Sequence, residues 1–261
     1  MKQLANKTVI ITGGGASIGA EISRELHRQG ANIVIAARTE DKGVKLVNEL
    51  KNNVIFIPTD ISKDEDLKNL IAKTVDIFGG IDVLVNNACS YGDEGSVTDR
   101  ETWLSTLNVN IVSAAILGEL CRPHLAKNKG CIVNIGSISG NFPHTGRWAY
   151  PVSKAALAHL SKSQAIDYAS DNIRVNLLRL GHIWSDPFDG LTKNDRAHAN
   201  KSTAPYNLMN RVADGNEVAK VVAFVASADA SYMTGGEIPV DGGYSAMGPE
   251  GHTPLFPILA K

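Results

Sequence analysis

The sequence is poor in cysteine and has almost no net charge. Its 261 residues include three widely spaced cysteines, Cys89, Cys121 and Cys131, a set that fits neither a disulfide framework nor a metal site. With 26 basic and 27 acidic residues, the net charge of −1 gives no electrostatic reason to expect a nucleic acid or an anionic membrane as partner. The histidines are not spaced like metal ligands either, so we predict no metal.

Long hydrophobic runs and a leader-like segment are missing as well. No uninterrupted apolar run reaches the ~18 residues that a membrane-spanning helix needs. The first residues, MKQLANK, lead directly into an apolar strand-like run and leave no room for a signal peptide. Together with the few cysteines, these features predict a soluble cytoplasmic protein with no membrane partner.

The chain does contain a regular alternation of short apolar runs and longer amphipathic segments. The apolar runs predict seven strands, at residues 8–12, 32–37, 54–60, 81–88, 131–137, 173–181 and 236–243. The amphipathic segments predict six helices, at residues 18–30, 41–51, 62–79, 100–126, 149–169 and 216–227. This alternation predicts an α/β fold: a single doubly wound, Rossmann-like domain with a mostly parallel, about seven-stranded sheet covered by helices on both faces.

Some details of this architecture are also predicted. Ser62 is the expected N-cap of the third helix, and Pro123 is expected to disturb the fourth. Residues 185–210 are polar and irregular and lie where a substrate lid would be, while the proline-containing tail 244–261 is expected to be non-helical. Because no linker or repeat interrupts the chain, residues 1–261 are predicted to form one domain.

The segment TGGGASIG joins the first strand to the first helix. The backbone N–H groups of such a turn, together with the helix N-terminus, bind the pyrophosphate of a dinucleotide. Gly13, Gly15 and Gly19 allow the tight turn and the close approach of helix and strand. Ser17 stands where a further glycine is expected; its Cβ costs clearance, or strain if φ is positive, but its hydroxyl can donate to a phosphate. We predict an adapted loop, with a weakened or absent site as the alternative.

The end of the second strand distinguishes NADP from NAD. A carboxylate there would accept a hydrogen bond from the ribose 2′-hydroxyl, but the chain has Ala37 followed by Arg38. Because a guanidinium matches a phosphate and stacks on adenine, we predict NADP(H) in preference to NAD(H). The alternative is that Arg38 is a solvated surface residue. Asp60, at the end of the third strand, either binds the adenine amino group or caps the next helix.

Tyr150 and Lys154 are four residues apart and therefore share one face of a helix. Pro151 is tolerated only in the first helical turn, which places Tyr150 near the helix start. Ser137 ends the preceding strand, and the carboxyl ends of strands form the working edge of an open parallel sheet. A phenol of pKa ~10 needs ~4 kcal/mol to ionise near pH 7, and an ammonium ~4 Å away at an effective dielectric of ~20 supplies a comparable amount.

With these residues, the chain resembles the short-chain dehydrogenase/reductase family over about residues 5–245. Other matching motifs are Asn86-Asn87-Ala88, Asn110, Arg174-Val175-Asn176, Thr234-Gly235 and Val240-Asp241-Gly242-Gly243. The resemblance implies that Tyr150 is the catalytic acid or base and that Ser137 binds the substrate oxygen. It implies that Lys154 holds the nicotinamide ribose and lowers the tyrosine pKa, and that Asn110 anchors a water in the proton relay.

The resemblance also implies a cofactor site and an assembly. The residues of the implied and derived cofactor site are Gly13, Gly15, Ser17, Ile18, Gly19, Arg38, Asp60, Ile61, Asn87, Tyr150, Lys154, Ile183 and Ser185. A homotetramer or homodimer is implied, paired through the helices at 100–126 and 149–169. Three positions depart from the family pattern: Ser17, Cys89 and Leu180 replace glycine, glycine and proline, and Cys89 is expected to pack under the nicotinamide ribose.

The resulting hypothesis is an NADP(H)-dependent oxidoreductase that interconverts a ketone or aldehyde and an alcohol. The polar lid favours a polar small-molecule substrate, and the candidates for the pocket wall are His144, Arg147, Trp148, His182, Trp184 and Tyr206. Arg147 either meets a substrate carboxylate or is a surface residue. Two alternatives remain: a nucleotide-binding regulatory protein with low turnover on the same fold, and an enoyl-thioester reductase. Ser137 and the ordinary Tyr-x-x-x-Lys spacing favour carbonyl chemistry.

Overall fold

A computed structural model describes residues 3–249, 251–253 and 255–260 and contains one parallel sheet. Its seven strands are β1 Thr8–Thr12, β2 Asn32–Ala37, β3 Val54–Pro58, β4 Val83–Asn86, β5 Cys131–Ser137, β6 Arg174–Leu180 and β7 Glu237–Val240. They lie in the order β3-β2-β1-β4-β5-β6-β7, and every neighbouring pair is parallel. The order reverses between β1 and β4, which is the switch point where ligands bind in such sheets.

Helices cover both faces of the sheet. They are α1 Ser17–Arg28, α2 Glu40–Leu50, α3 Asp64–Phe78, α4 Arg100–Leu107, α5 Ser113–Asn128, α6 Ala149–Asp167, α7 Asp186–Thr192, α8 Arg196–Thr203, α9 Gly215–Ala226 and α10 Leu255–Leu259. Successive side chains of a strand point to opposite faces. Val9 and Ile11 therefore pack with α1 and α9, whereas Ile10 packs with α3 and α5. This confirms the predicted doubly wound α/β fold with seven parallel strands.

Ser62 is not the N-cap of the third helix. The helix begins at Asp64 after Lys63, and its first turn carries three acidic residues. The backbone N–H and the hydroxyl of Ser62 both donate to the carboxylate of Asp60. The expected cap therefore belongs to the turn that precedes α3, and negative charge in the first turn favours the helix dipole instead.

Pro123 does not disturb its helix. It lies on the exposed side of α5, where solvent can hydrate the carbonyl that proline leaves unpaired. The irregular part is instead a π-helical segment, Asn108–Val112, between α4 and α5. One extra residue per turn there changes which side chains face the sheet, and such segments are common at functional sites.

The polar segment and the tail are more regular than predicted. The segment 185–210 contains α7 and α8, because Pro187 suits the first turn of α7 and the side chain of Asp195 caps α8 by accepting from the N–H of His198. The tail contains the short helix α10, where Pro257 lies in the first turn. Glu250, Pro254 and Lys261 of the tail lie outside the described residues.

One helical run in the described part of the chain is long and apolar enough, by length and composition, to span a membrane. It covers α4, the π segment and α5 over 29 residues, and an 18-residue window within it has a mean hydropathy of 1.4. The sequence analysis did not identify this run, because it considered only apolar stretches without interruption. Its inner residues Leu117, Cys121 and Leu125 are fully buried against the sheet, as in the core helix of a globular domain. Each large aliphatic side chain buried in this way contributes about 1.5–3 kcal/mol.

Candidate active site

A cleft of about 1040 Å³ opens at the carboxyl edge of the sheet, beside the switch point between β1 and β4. Its walls come from the segment TGGGASIG at residues 12–19, called the glycine loop below, and from the ends of β2 to β6, the start of α6, and α7. All predicted catalytic and cofactor residues line this cleft except Asn110. The fold thus brings together residues from position 13 to position 185 at one edge.

The glycine loop has the geometry of a phosphate cradle. Gly13 has a φ of +65°, a conformation that favours glycine, and a Cβ on Gly19 would overlap the carbonyl oxygen of Gly13. In the described structure, no side chain caps the N-terminus of α1. Its first N–H groups are therefore available to an anion, so the loop fits the pyrophosphate of a dinucleotide.

Ser17 adopts the strained backbone conformation, with positive φ, that the sequence analysis considered for it. Its φ is +50°, which costs a residue with a Cβ ~1–2 kcal/mol. Its hydroxyl oxygen accepts a hydrogen bond of 3.2 Å from the N–H of Asp186 in α7, and the carboxylate of Asp186 pairs with Lys42 at 2.9 Å. Ser17 therefore links the glycine loop to α7, and its own proton remains free to donate to a phosphate.

Two cations lie in the segment that follows the second strand. Arg38 follows β2 directly and is exposed, Lys42 lies in the first turn of α2, and both line the cleft. Asp60 faces them from the end of β3. The hydrogen bond from the Ser62 hydroxyl is the main cause of a lowered pKa of Asp60, and the charge of Arg38 adds to it. Among the described lining residues, none between Ala36 and Lys42, at the end of β2 and the start of α2, carries a carboxylate.

Tyr150 and Lys154 lie in the first turns of α6, opposite Ser137 at the end of β5. The Lys154 ammonium is 5.6 Å from the centre of the Tyr150 ring and donates a 2.8 Å hydrogen bond to the carbonyl of Ile135. Burial lowers the pKa of Lys154, which is 4 % exposed. Burial also raises the pKa of Tyr150, and a hydrogen bond with Ser137 lowers it in part. The net direction is upward, opposite to that expected from Lys154, because desolvation of the phenol dominates.

Asn110 lies outside the cleft, in the π segment, and is 2 % exposed. Its amide donates to the carbonyl of Ser90 and to the hydroxyl of Ser153, both at 3.0 Å, and its oxygen accepts from the N–H of Ser90. It borders a cavity of about 10 Å³ that Lys154 also lines, roughly the space one water needs. The side chain of Asn110 ties the segment after β4 to α6, and its part in a water relay stays a prediction.

Comparison with known proteins places this geometry in a family. A family model described as enoyl-(acyl carrier protein) reductase matches residues 13–245. The meso-2,3-butanediol dehydrogenase of Serratia marcescens is 33% identical over 92% of this chain and 95% of its own length. The L-fucose dehydrogenase of Bos taurus is 33% identical over 92% and 89%, and dehydrogenase/reductase SDR family member 4 of Homo sapiens 34% over 92% and 88%.

The chain belongs to the short-chain dehydrogenase/reductase family. Its relatives indicate an NAD(P)-dependent oxidoreductase that acts on alcohols or carbonyls. Two positions that depart from the common pattern of the family, Cys89 and Leu180, both line the cleft, and Leu180 is buried at the end of β6. Neither displaces Ser137, Tyr150 or Lys154 from the cleft wall.

Tyr91 is a site residue of this dehydrogenase/reductase that the sequence analysis missed. Its ring lies 4.8 Å from that of Tyr150, centre to centre, with 31° between the planes. Tyr91 is 47 % exposed as a whole, yet desolvation of its hydroxyl, together with Cys89 and Tyr150, raises its pKa. The hydrogen bond between the two hydroxyls lowers the pKa of Tyr150, so the second phenol supports ionisation of the first.

Asp93 is a second missed residue, and it positions Tyr150. The carboxylate is 1 % exposed and accepts hydrogen bonds from the N–H groups of Gly95, Trp148 and Tyr150 at 2.8–2.9 Å. Helix α6 thus receives its N-terminal cap from a residue more than 50 positions away. Arg147 donates to the backbone carbonyls of Tyr91 and Asp93. Nη1 of its guanidinium makes both hydrogen bonds, and the contact of Arg147 with a substrate carboxylate stays a prediction.

The predicted pocket wall is only partly correct. His144, Arg147 and His182 line the cleft. The other three candidates do not border it: Trp148 is 51 % exposed, Tyr206 is 58 % exposed, and Trp184 packs under the guanidinium of Arg196 at 5.0 Å. Phe188 and Leu191 of α7 line the cleft instead. The sequence analysis did not predict them, because they stand in a predominantly polar segment.

Proposed function

We propose that this protein is an NADP(H)-dependent oxidoreductase that interconverts a ketone or aldehyde and the corresponding alcohol. The observation that carries the proposal is the convergence of Ser137, Tyr150 and Lys154 in one cleft with the glycine loop. The loop fits a dinucleotide, because Gly13 and Gly19 permit a tight turn that a Cβ would obstruct, and no side chain caps the first N–H groups of α1 within the described residues. The cofactor, when bound, supplies the hydride or accepts it; orientation and proton transfer fall to the protein.

The proton chemistry follows from the three side chains. In the oxidation direction, Tyr150 accepts the hydroxyl proton while the carbinol carbon loses hydride and a C=O bond forms. In the reduction direction, Tyr150 donates that proton to the carbonyl oxygen, and Ser137 donates a hydrogen bond to the same oxygen. The positive charge of Lys154 favours the ionised phenol and offsets part of the cost of its burial.

Arg38 and Lys42 support the preference for NADP(H). Both line the adenosine end of the cleft, and a 2′-phosphate carries the charge that complements them. A carboxylate that would repel the phosphate is missing from the described lining at β2. Asp60, an acidic residue, also lines this end of the cleft. The proposal therefore includes binding of NAD(H), with lower affinity than NADP(H).

The remaining parts of the proposal concern lid, assembly and location. Residues 185–210, with α7 and α8, are the proposed lid of a single domain spanning 1–261. A homotetramer or homodimer is supported by apolar side chains exposed on α4 to α6, namely Leu104, Val112, Ile116, Val152 and Ile166. Light scattering after gel filtration tests the assembly. Three free cysteines are compatible with a reducing cytoplasmic location, which fractionation tests.

The enoyl-reductase alternative is favoured by the description of the matching family model. The Ser137–Tyr150 pair supports carbonyl chemistry instead, because both groups are placed to bind one oxygen. Incubation with NADPH and either an activated diketone or a crotonyl thioester separates the two. Faster NADPH consumption with the thioester would favour reduction of the C=C bond and contradict the main proposal.

The first experiment titrates the protein with NADPH and NADH, following cofactor fluorescence, and repeats the titration with Arg38→Ala. We expect NADPH to bind more tightly, and its affinity to fall by ~10-fold in the variant while that for NADH changes little. Tyr150→Phe should bind NADPH normally and lose activity by orders of magnitude. Failure of both nucleotides to bind at near-millimolar levels would contradict the proposed function.

A further inference from the structure

We propose that the substrate end of the cleft binds a neutral compound with several hydroxyl groups, a sugar or a polyol, through His144 and His182. The inference rests on the proposed function, because it names the substrate class of the same site. Oxidation of such a compound transfers the carbinol hydride to NADP⁺ and the hydroxyl proton to Tyr150, so that a carbonyl product and NADPH form.

The first observation is a pair of buried ring nitrogens. Nε2 of His144 and Nδ1 of His182 are closed to solvent, and within the described residues neither has a hydrogen-bond partner. Both side chains line the cleft that holds Ser137 and Tyr150. A buried polar atom without a partner is unfavourable, so a turn of either ring that brings its nitrogen to a ligand hydroxyl in the cleft supplies the missing hydrogen bond.

The second observation is that both imidazoles are held neutral. Burial lowers the pKa of His144, and burial together with the nearby His144 lowers that of His182. A neutral imidazole offers one donor and one acceptor rather than a charge. A hydroxyl group can satisfy either role, whichever tautomer the ring adopts, whereas a carboxylate can only accept.

The third observation is the charge inventory of the cleft. Among its described lining residues, five side chains other than histidine carry charge: Arg38, Lys42, Asp60, Arg147 and Lys154. Arg38 follows β2, Lys42 lies in the first turn of α2, and Asp60 follows β3. Arg147 is engaged by backbone carbonyls and Lys154 by the carbonyl of Ile135. Among the described lining residues only Asp60 carries a carboxylate, so a cationic substrate would find no counter-charge beside the histidines.

The fourth observation is the aromatic surface around the histidines. The ring of Tyr244 lies 6.4 Å from His144 and 5.8 Å from His182, and Phe188 lies 6.0 Å from His182. Of these two rings, Phe188 lines the cleft, whereas Tyr244 packs against the imidazoles without being part of the lining. An aromatic ring such as Phe188 packs on the C–H faces of a sugar or a carbon chain while the imidazoles bind the hydroxyls. Apolar faces with a few fixed hydrogen-bonding groups match a polyhydroxylated molecule better than a purely hydrocarbon one.

The test compares substrates that differ in hydroxyl number. With NADP⁺ and the intact protein, kcat/KM is measured for L-fucose and D-glucose against cyclohexanol, and for meso-2,3-butanediol against 2-butanol. We expect at least one hydroxyl-rich compound to exceed its mono-alcohol by ~10-fold or more, because a site built for hydroxyls rejects analogues that lack them. The cyclic and acyclic series separate a sugar from a polyol.

The variants His144→Phe and His182→Phe keep a ring and remove the nitrogens. In each, the ratio between the hydroxyl-rich and the mono-hydroxyl substrate should fall toward one. His159→Phe is the matched control, since His159 is exposed on α6 and does not line the cleft, and it should leave the ratio unchanged. A preference for the mono-alcohols, or an unchanged ratio in both cleft variants, would overturn the inference and leave the proposed function standing.

A separate binding measurement distinguishes the two failures. Tyr150→Phe with NADP⁺ keeps the pocket without turnover, and the shift of its melting temperature reports ligand binding. Stabilisation by the sugars or diols, together with no oxidation by the native protein, would contradict the proposed function but support the pocket assignment. If none of the hydroxyl-rich compounds stabilises the variant and none is oxidised, the inference is wrong.

Discussion

Replacement of Asp93 by asparagine tests whether one buried carboxylate holds the catalytic helix in place. One oxygen of Asp93 accepts from the N–H groups of Gly95 and Trp148, and the other accepts from the N–H of Tyr150. In Asp93→Asn, one oxygen becomes an NH₂ group. At least one backbone N–H of this cluster then faces a donor instead of an acceptor.

The magnitude follows from these contacts. A hydrogen bond to a buried charged group contributes ~1.5–3 kcal/mol, and loss of the charge weakens those that remain. We therefore expect Asp93→Asn to lower the free energy of unfolding by about 2–4 kcal/mol. Because Tyr150 itself is one of the donors, kcat should fall by ~10- to 100-fold, as small misplacements of a catalytic group do. NADPH affinity should stay near the native value, since the glycine loop does not contact Asp93.

The effect on stability should also depend on pH. Burial raises the pKa of Asp93, but the three N–H donors and the charge of Arg147 outweigh it, and the net pKa is lowered. A carboxyl with a lowered pKa in the folded state stabilises the fold above the unfolded value of ~3.9, and this contribution is lost as the pH falls through the folded value. The difference between native protein and variant should be full at pH 7 and shrink below ~pH 4.

Urea unfolding from pH 3 to 8, with NADPH titration and steady-state kinetics, measures all three quantities. Asp99→Asn is the matched control, because Asp99 is an exposed cap of α4 that accepts from the N–H of Thr102 at 2.7 Å. That variant should change the free energy of unfolding much less than Asp93→Asn does and leave kcat unchanged. If Asp93→Asn behaves like Asp99→Asn, the carboxylate does not position Tyr150 and the reasoning fails.

Three further variants address the neighbours of the cofactor and of Tyr150. Tyr91→Phe keeps the stacked ring but removes the hydrogen bond that lowers the pKa of Tyr150, so the pH profile of alcohol oxidation should move to higher pH; an unmoved profile would contradict the contact. Ser17→Gly should stabilise the protein by ~0.5–1 kcal/mol in urea unfolding by relieving the positive φ, whereas Ser17→Ala should not, and equal behaviour of the two would refute the strain. Asp186→Asn frees Lys42, so NADPH should bind more tightly at low salt while NADH does not; the pair is half-exposed, and stability should change by less than ~1 kcal/mol.

The sheet could be predicted from the sequence because burial on both faces leaves a direct signature. Continuous apolar runs marked all seven strands, with errors confined to their ends: the run 81–88 forms a strand only over Val83–Asn86. After Asn86, the chain leaves the sheet to reach the cleft, and the side chain of Asn87 donates to the carbonyl of Thr12 instead. Hydropathy does not register that change of partner.

Helix ends and the lid were harder, because they depend on single contacts. Ser62 is of a residue type that often caps helices, but its hydroxyl donates to the carboxylate of Asp60. Proline usually breaks a helix, because it has no N–H to donate. Pro123 is tolerated because it is exposed, so that water can hydrate the carbonyl left without a donor. Helices α7 and α8 are short and polar, so no apolar period announces them.

The catalytic residues were accessible to sequence reasoning because four-residue spacing on a helix is local, whereas the groups that hold them are not. Asp93 contacts Trp148 and Tyr150 across 55 and 57 residues, and no spacing rule connects such positions. Tyr91 reaches Tyr150 from the same segment after β4. The segment 91–93 therefore both caps α6 and changes the pKa of Tyr150. A displacement of this segment would change the position and the acidity of Tyr150 together. Variants there should affect kcat and its pH dependence jointly, while variants of the glycine loop should affect cofactor affinity alone.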